Sequence, residues 1–479
     1  MESAQPKRRY IGGFDGLRTI GVIGVILYHL RPDLFQGGYL GVLLFFVISG
    51  YLITDGFVRQ YDREGGKLKL GQFFGKRIRR LYPALVTVLL GASAYIGLFA
   101  RDLLVNLHKI VISNLALVYN WWQIANGQSY FERFAHNESP FVHLWTLSIE
   151  GQYYIIWPFI FLLLMKLLKT NGKRFAATMG LALASGLWML VLYRMTMLGG
   201  GDPSRLYYGT DTRIFALLMG SALAFVWPSQ KLAPDLPLPS RVLLDGVGTV
   251  AAVAMVASLL NLSDQSSALY EGGMVGFSLL AMALVAVIAS PATLWGKLLS
   301  NPVFHWIGTR SYGIYIYQFP VMIFFENAFR NVADHPVLYP VIEVAIILVI
   351  SELSYRFIEQ PAAHVTKPQL QAFWQRLRHG GTGGRFCPDW GDAGCDDCSA
   401  WRRRGRPGAV CQGGGKRRGS APESQPGNGG PEKGRAGKDQ EGAAGPEKGP
   451  VLEQIEQSKQ QCRFGLCQQQ VRASGQPGL

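Results

Sequence analysis

The sequence predicts an all-α fold: a polytopic membrane protein with about ten transmembrane helices, followed by a disordered tail. Three observations lead there. Of the 479 residues 49% are hydrophobic and only 16% charged, a balance that excludes an ordinary soluble enzyme. Apolar stretches of about 18 to 22 residues, each long enough to cross the ~30 Å hydrocarbon core as a helix, recur from residue 11 to residue 357. Beyond residue 380 the chain turns to Gly, Pro, Arg, Lys, Glu and Gln with scarcely an aliphatic residue, a composition that cannot bury a core.

The expected spans are 11–30, 38–58, 81–100, 144–165, 175–198, 211–227, 242–261, 270–290, 311–328 and 337–357. The first reaches the polar turn "RPD" without a small-residue cleavage site, so it reads as a retained helix and not a signal peptide. Lys7, Arg8 and Arg9 precede it, and cytoplasmic flanks attract such charge, so the amino terminus is expected inside. In the second span Gly38, Gly41 and Gly50 suit close helix packing, and Ser49 is expected to bond only its own backbone. The loop that follows carries Arg59, Arg63, Lys67, Lys69, Lys76, Arg77, Arg79 and Arg80, a cytoplasmic signature, with Tyr82 and Pro83 beginning the third helix.

The long segment 101–143 has few positive charges for its length and falls outside. The fourth span carries Glu150 within its first two turns and leads to a second basic loop with Lys166, Lys169, Lys173 and Arg174. The sixth opens on Asp211 and Arg213, which are two apart on a helix and do not face each other, so at least one needs another partner. The ninth places Gln318 mid-span with Tyr315 and Pro320, where an amide either lines a cavity or bridges two helices. An even number of spans returns the carboxyl terminus to the cytoplasm. The formal charge of +15 is thereby largely topology, with no signature of nucleic-acid binding.

This divides the chain into an integral-membrane domain at 10–362, a cytoplasmic or linker segment at 363–380 and a low-complexity tail at 381–479. All six cysteines lie in the tail. Cys395 and Cys398 form a C-x-x-C that Cys387 and Cys411 could complete as a zinc set, but their surroundings offer almost no core, and no metal is expected. The abrupt change in residue usage is explained by a shifted reading frame, or else by an ordinary disordered extension.

Arg18 and His29 stand on the first span with ten residues between them, within ~20° of one another around the helix and roughly 16 Å along it. Ionisable groups inside membranes mark pathways or reaction sites. The alternative is that both are interfacial, Arg18 snorkelling inward and His29 in the outer headgroup region. With Arg18 on the cytoplasmic side go Arg77, Arg79 and Arg80, which either anchor the helix or recognise phosphate through their bidentate forks. His29, Glu150, Asp211 and Arg213 fall at one depth on the external side. There they form a base, its orienting carboxylate and a polar acceptor site, or an ion-pair network in which Glu150 neutralises Arg213 or His29.

The Arg-ten-residues-His element, "FFVISGYLI", "RRLYP", "LWTLSIEGQYY", "SYGIYIYQFP" and the terminal "YRFIEQP" together resemble the membrane acyltransferases of acyltransferase family 3, in particular the peptidoglycan O-acetyltransferases of the OatA type. The resemblance covers about residues 10 to 362. It implies a ten-helix domain that takes an acetyl group from cytoplasmic acetyl-CoA and delivers it to a hydroxyl of an extracytoplasmic carbohydrate, peptidoglycan or another surface polysaccharide or glycolipid. It implies essential roles for Arg18 and His29 and carries Arg77, Arg79, Arg80 and Glu150 over as motif residues. Combined with the depth of each residue, the expectation is that His29 and Glu150 are catalytic, that Arg18, Arg77, Arg79 and Arg80 contact the coenzyme, and that Tyr207, Tyr208, Asp211, Arg213 and Gln318 line the acceptor side. Relatives of this type continue into a further span and an extracytoplasmic hydrolase-like domain; no Gly-Asp-Ser motif is present here, so a separate transferase partner is one expectation and an inactive remnant another. A multi-pass transporter is the competing class, but no inverted repeat is evident.

Overall fold

Every one of the ten expected stretches is helical in the computed structural model, which describes residues 10–130, 139–199, 201–329, 335 and 337–365. The helices are α1 Gly13–Leu30, α2 Gly41–Arg63, α3 Leu70–Phe99, α4 Leu107–Leu115, α5 Tyr119–Ala125, α6 Trp145–Leu167, α7 Asn171–Leu198, α8 Ser204–Tyr208, α9 Thr210–Val226, α10 Leu238–Asn261, α11 Met274–Ala289, α12 Leu294–Leu298, α13 Pro302–Ala328, α14 Leu338–Ser354 and α15 Gln360–His364. No strand occurs among the described residues. The tail, with its cysteines, lies outside them.

Seven of the long helices are apolar enough to cross a bilayer by length and composition. The three that fall short of that measure do so for visible reasons. Helix α1 mixes Asp15, Arg18 and His29 into 18 residues, α13 carries His305, Arg310, Gln318 and Glu326, and α14 is only 17 residues long. Of these polar groups Asp15 and Gln318 are buried in the bundle, whereas His305 and Glu326 are exposed.

Helices α2 and α9 form the centre, with 78% of their apolar windows buried, whereas α10 and α7 lie at the rim with 22% and 28%. The contact between α2 and α9 is made by backbone. A Cβ on Gly50 would fall 1.9 Å from the Leu217 carbonyl oxygen, and one on Gly220 would fall 2.0 Å from that of Val47. Gly41 and Gly38 press on the Gly21 and Gly24 carbonyls of α1 in the same manner, at 2.3 and 2.2 Å. These close approaches are the packing role expected of small residues in lipid. Gly220→Ala is therefore expected to destabilise the bundle by about 1–3 kcal/mol or more, because backbone cannot step aside as a side chain can. A lowered unfolding temperature in detergent is the readout.

One expectation is corrected. Helix α3 begins at Leu70 and runs through Pro83, so the run Lys76 to Arg80 is helical and not a loop leading to a helix at Tyr82. Lys and Arg are good helix formers, and an interior proline is tolerated where neighbours take up the freed groups. The segment 101–143, expected outside, carries structure of its own. It contains α4 and α5 and is tied to the bundle, where Asn120 donates to the Tyr208 carbonyl at 3.0 Å and Gln152 donates to Asn120 at 3.0 Å.

Candidate active site

Near the start of α1, Asp15 is a buried carboxylate with three side-chain partners. Arg18 donates to it from one turn along at 3.1 Å, His305 Nδ1 lies 2.9 Å away, and the Tyr10 hydroxyl donates to it. Helix α13 can approach because Gly308 has no side chain; a Cβ there would lie 2.2 Å from the Asp15 carbonyl oxygen. An acid three residues before a base on one helix face holds the guanidinium in place. Arg18 is thus fixed and only 18% exposed.

Three cavities run inward past it from the end of the bundle that carries the basic residues. The outermost, of about 610 Å³, is lined among others by Arg59, Arg63, Lys69, Lys76 and Arg77. It shares Leu52, Ile53, Arg59 and Arg77 with a second of about 180 Å³, which reaches Asp15, Arg18, Ser49 and Arg80. That one shares Arg18, Ser49 and Arg80 with a third of about 70 Å³, closed by Thr146, Glu150, Tyr312 and Tyr315. Arg77 reaches this path with its guanidinium over the rings of Phe73 and Tyr154, at 5.3 and 5.0 Å.

Glu150 belongs to the innermost cavity and not to an external cluster around His29. The Ser49 hydroxyl donates to its Oε1 at 2.7 Å and the Tyr154 hydroxyl donates to the same oxygen. The expectation that Ser49 bonds only its own backbone is thereby overturned. Depth explains the misplacement of Glu150: α6 begins inside the bundle, because the turn before it seats His143 against Tyr315 at the midpoint of α13, with ring centroids 5.5 Å apart. A carboxylate one and a half turns further on arrives beside Arg18 and Arg80.

Beyond Tyr315 the path continues as aromatic and imidazole rings. Thr146 bonds the Tyr315 hydroxyl, which donates to the His143 carbonyl, both at 2.8 Å. The His143 and His29 rings each lie 5.3 Å from Phe319. His29 is oriented by its own helix: Nδ1 donates to the Val25 carbonyl at 2.8 Å, which in the neutral ring assigns the lone pair to Nε2. The orienting group is that carbonyl, not Glu150. His143 donates from Nε2 to the Ile316 carbonyl at 3.2 Å, and its Nδ1 is buried with no hydrogen-bond partner among the described residues.

The residues expected on the acceptor side divide. Asp211 is taken up by a bidentate pair with Arg205 at 2.8 and 3.1 Å and by Trp188 at 2.8 Å. Arg213 is buried separately, donating to the Tyr207 carbonyl at 3.1 Å, with its guanidinium 4.2 Å above the Tyr207 ring. Each thus found a partner other than its neighbour two residues away. Tyr207 and Tyr208 are packed around Trp145, and Gln318 is fully buried with neither amide atom hydrogen-bonded among the described residues. Among the described residues no group of three or more His, Cys, Asp or Glu side chains is placed to hold a metal ion.

The family model described as an acyltransferase domain, acyltransferase family 3, matches residues 11–355. The chain belongs to this family. The family 3 domain is 40% identical over 354 residues to the peptidoglycan O-acetyltransferase OatA of Listeria monocytogenes, covering 74% of this chain and 56% of that protein. Similar matches are a putative peptidoglycan O-acetyltransferase, YrhL, of Bacillus subtilis, at 40% identity over 74% of this chain and 55% of that protein, and a putative O-acetyltransferase of Staphylococcus aureus, at 38% over 74% and 58%. The chain therefore spans a little over half the length of these relatives. No solved structure matches it.

Within the family 3 domain the arginine run is not uniform. Arg77 and Arg80 line the cavities, whereas Arg79 points elsewhere, donating to its own helix at Gly75 and to the Val365 carbonyl. Three-residue spacing puts 77 and 80 on one helix face and 79 on another. Arg79 thus has its partners away from the cavities that Arg77 and Arg80 line. Arg79→Gln is expected to leave the KM for the acyl donor within about twofold, and Arg80→Gln to raise it by on the order of tenfold, one charge-assisted contact; steady-state donor titrations separate the two.

Proposed function

We propose that this family 3 domain transfers an acetyl group from acetyl-CoA on the cytoplasmic side to a hydroxyl of an extracytoplasmic carbohydrate, peptidoglycan first, with both chain termini cytoplasmic. The observation that carries the reading is the narrowing series of cavities, lined by cations at the basic end and closing on Arg18, Arg80 and Glu150. Polyanionic phosphates suit the wide basic part, where Arg59, Lys76 and Arg77 stand. The narrow part suits a small acyl group, and two guanidiniums there can stabilise charge developing on an attacked carbonyl.

His29, further along the same helix as Arg18, is the general base for the acceptor hydroxyl, acting through Nε2. Arg213, Tyr207 and Tyr208 line the acceptor's approach, and Asp211 acts only indirectly, by holding Arg205. The peptidoglycan O-acetyltransferase names of the relatives support the glycan as acceptor, and a separate extracytoplasmic transferase is the proposed partner for delivery.

The test is the full chain in proteoliposomes with labelled acetyl-CoA on the side of the basic loops and peptidoglycan fragments on the other. Alkali-labile label on the glycan is the expected result. Label that stays with coenzyme or free acetate, with none on glycan, sinks the reading.

A further inference from the structure

Ser49 lies at the constriction between the second and third cavities and lines both, so it is reached from the donor side and faces the innermost chamber. Its hydroxyl donates to Glu150 at 2.7 Å, the distance and direction of a nucleophile on its base. Arg18 and Arg80 border the same two cavities, which places two cationic donors where an oxyanion would form beside Oγ. A serine that served only to satisfy a buried carboxylate would need neither the opening to the donor path nor the two guanidiniums. Gly50, the next residue, is locked against the α9 backbone, so the serine is carried on a rigid support.

We propose that Ser49 is the acyl-accepting nucleophile of this domain, forming an acyl-serine ester with Glu150 as its base. The proposal rests on the thioester donor of the preceding reading. In the first step Oγ adds to the thioester carbonyl carbon, Glu150 takes the hydroxyl proton, the C–S bond breaks and the proton passes to the departing sulfur, releasing free thiol. In the second, an acceptor hydroxyl adds to the ester carbonyl and the C–Oγ bond breaks. The proton lost by the acceptor replaces the one on Oγ, so Glu150 and His29 end the cycle as they began, with no net redox change.

The test uses the full chain with labelled acetyl-CoA, acid quench and peptide mass spectrometry of the α2 segment, in wild type, His29→Ala, Ser49→Ala and Ser49→Cys. The expected result is an acetyl ester on Ser49 that accumulates in His29→Ala, where discharge is blocked. Ser49→Ala is expected to lose glycan acetylation by on the order of 10³-fold or more while retaining its unfolding temperature and coenzyme binding. Ser49→Cys, which keeps the volume should alanine not fold, is expected to carry a hydroxylamine-sensitive acetyl thioester. Wild-type rates in Ser49→Ala, or acetyl confined to another residue, overturn the proposal and leave the acyltransferase reading standing. Acetyl on Ser49 without any on glycan would have the opposite effect, upholding the nucleophile and removing the proposed acceptor.

Discussion

A His29→Ala protein is expected to insert, fold and bind coenzyme as the wild type does, yet to lose acetyl transfer to glycan by about 10²–10⁴-fold, the usual contribution of a positioned acid–base group. The expectation follows from where the imidazole stands. Its Nδ1 is committed to the Val25 carbonyl, so the ring's orientation does not depend on any group that the substitution disturbs. Its neighbours Tyr28 and Phe319 touch it edge-on, so truncation removes these ring contacts. Coenzyme binding, measured by competition at the basic end, and transfer, measured on glycan, should therefore separate cleanly. Loss of both together would assign His29 to the architecture and not to the chemistry.

Arg18→Gln is expected to behave differently, lowering kcat/KM for the donor by on the order of 10²–10³-fold, as removal of an oxyanion donor does. It also has a structural component. Asp15 would lose the cation beside it and keep only Tyr10 and His305 as side-chain partners, so a loss of stability of about 1–3 kcal/mol accompanies the kinetic one. Arg18→Lys retains the charge but not the fork that reaches Asp15 and the cavity at once, and is expected to recover stability more than rate. Donor kinetics alongside thermal unfolding in detergent distinguish the two contributions. Unchanged kcat/KM in a folded Arg18→Gln protein would remove Arg18 from the transfer path.

Much of the bundle was legible in the sequence because apolar length alone marks a spanning helix, and the glycines of α2 announced its close packing. The misplacement of Glu150 has one cause, which is depth. Counting turns from a span's start presumes that the start lies at the membrane surface, and α6 starts beside the midpoint of α13. That single displacement moved Glu150 from His29 to Arg18 and hid its bond with Ser49. The difference between Arg79 and its neighbours was hidden for a simpler reason: the run was read as a loop, whereas a helix sends 77 and 80 one way and 79 another. Asp15 and His143 were open to notice, the first three residues before Arg18 and the second opening the segment whose glutamate was weighed. Each needed a partner from a distant helix before its burial made sense.

The glycine contacts also bear on how the molecule moves. Where backbone meets backbone there is no layer of side chains to shear, so α1, α2 and α9 form one inflexible block, and Gly308 fastens α13 to it. Arg18, His29 and Ser49 all ride on that block. Arg80 and Glu150 sit on α3 and α6, whose apolar windows are only 39% and 56% buried and which lack comparable seams. The cavities are thus bordered by two kinds of support: Arg18 and Ser49 are carried on helices seated backbone to backbone, and Arg80 and Glu150 on helices held through side chains.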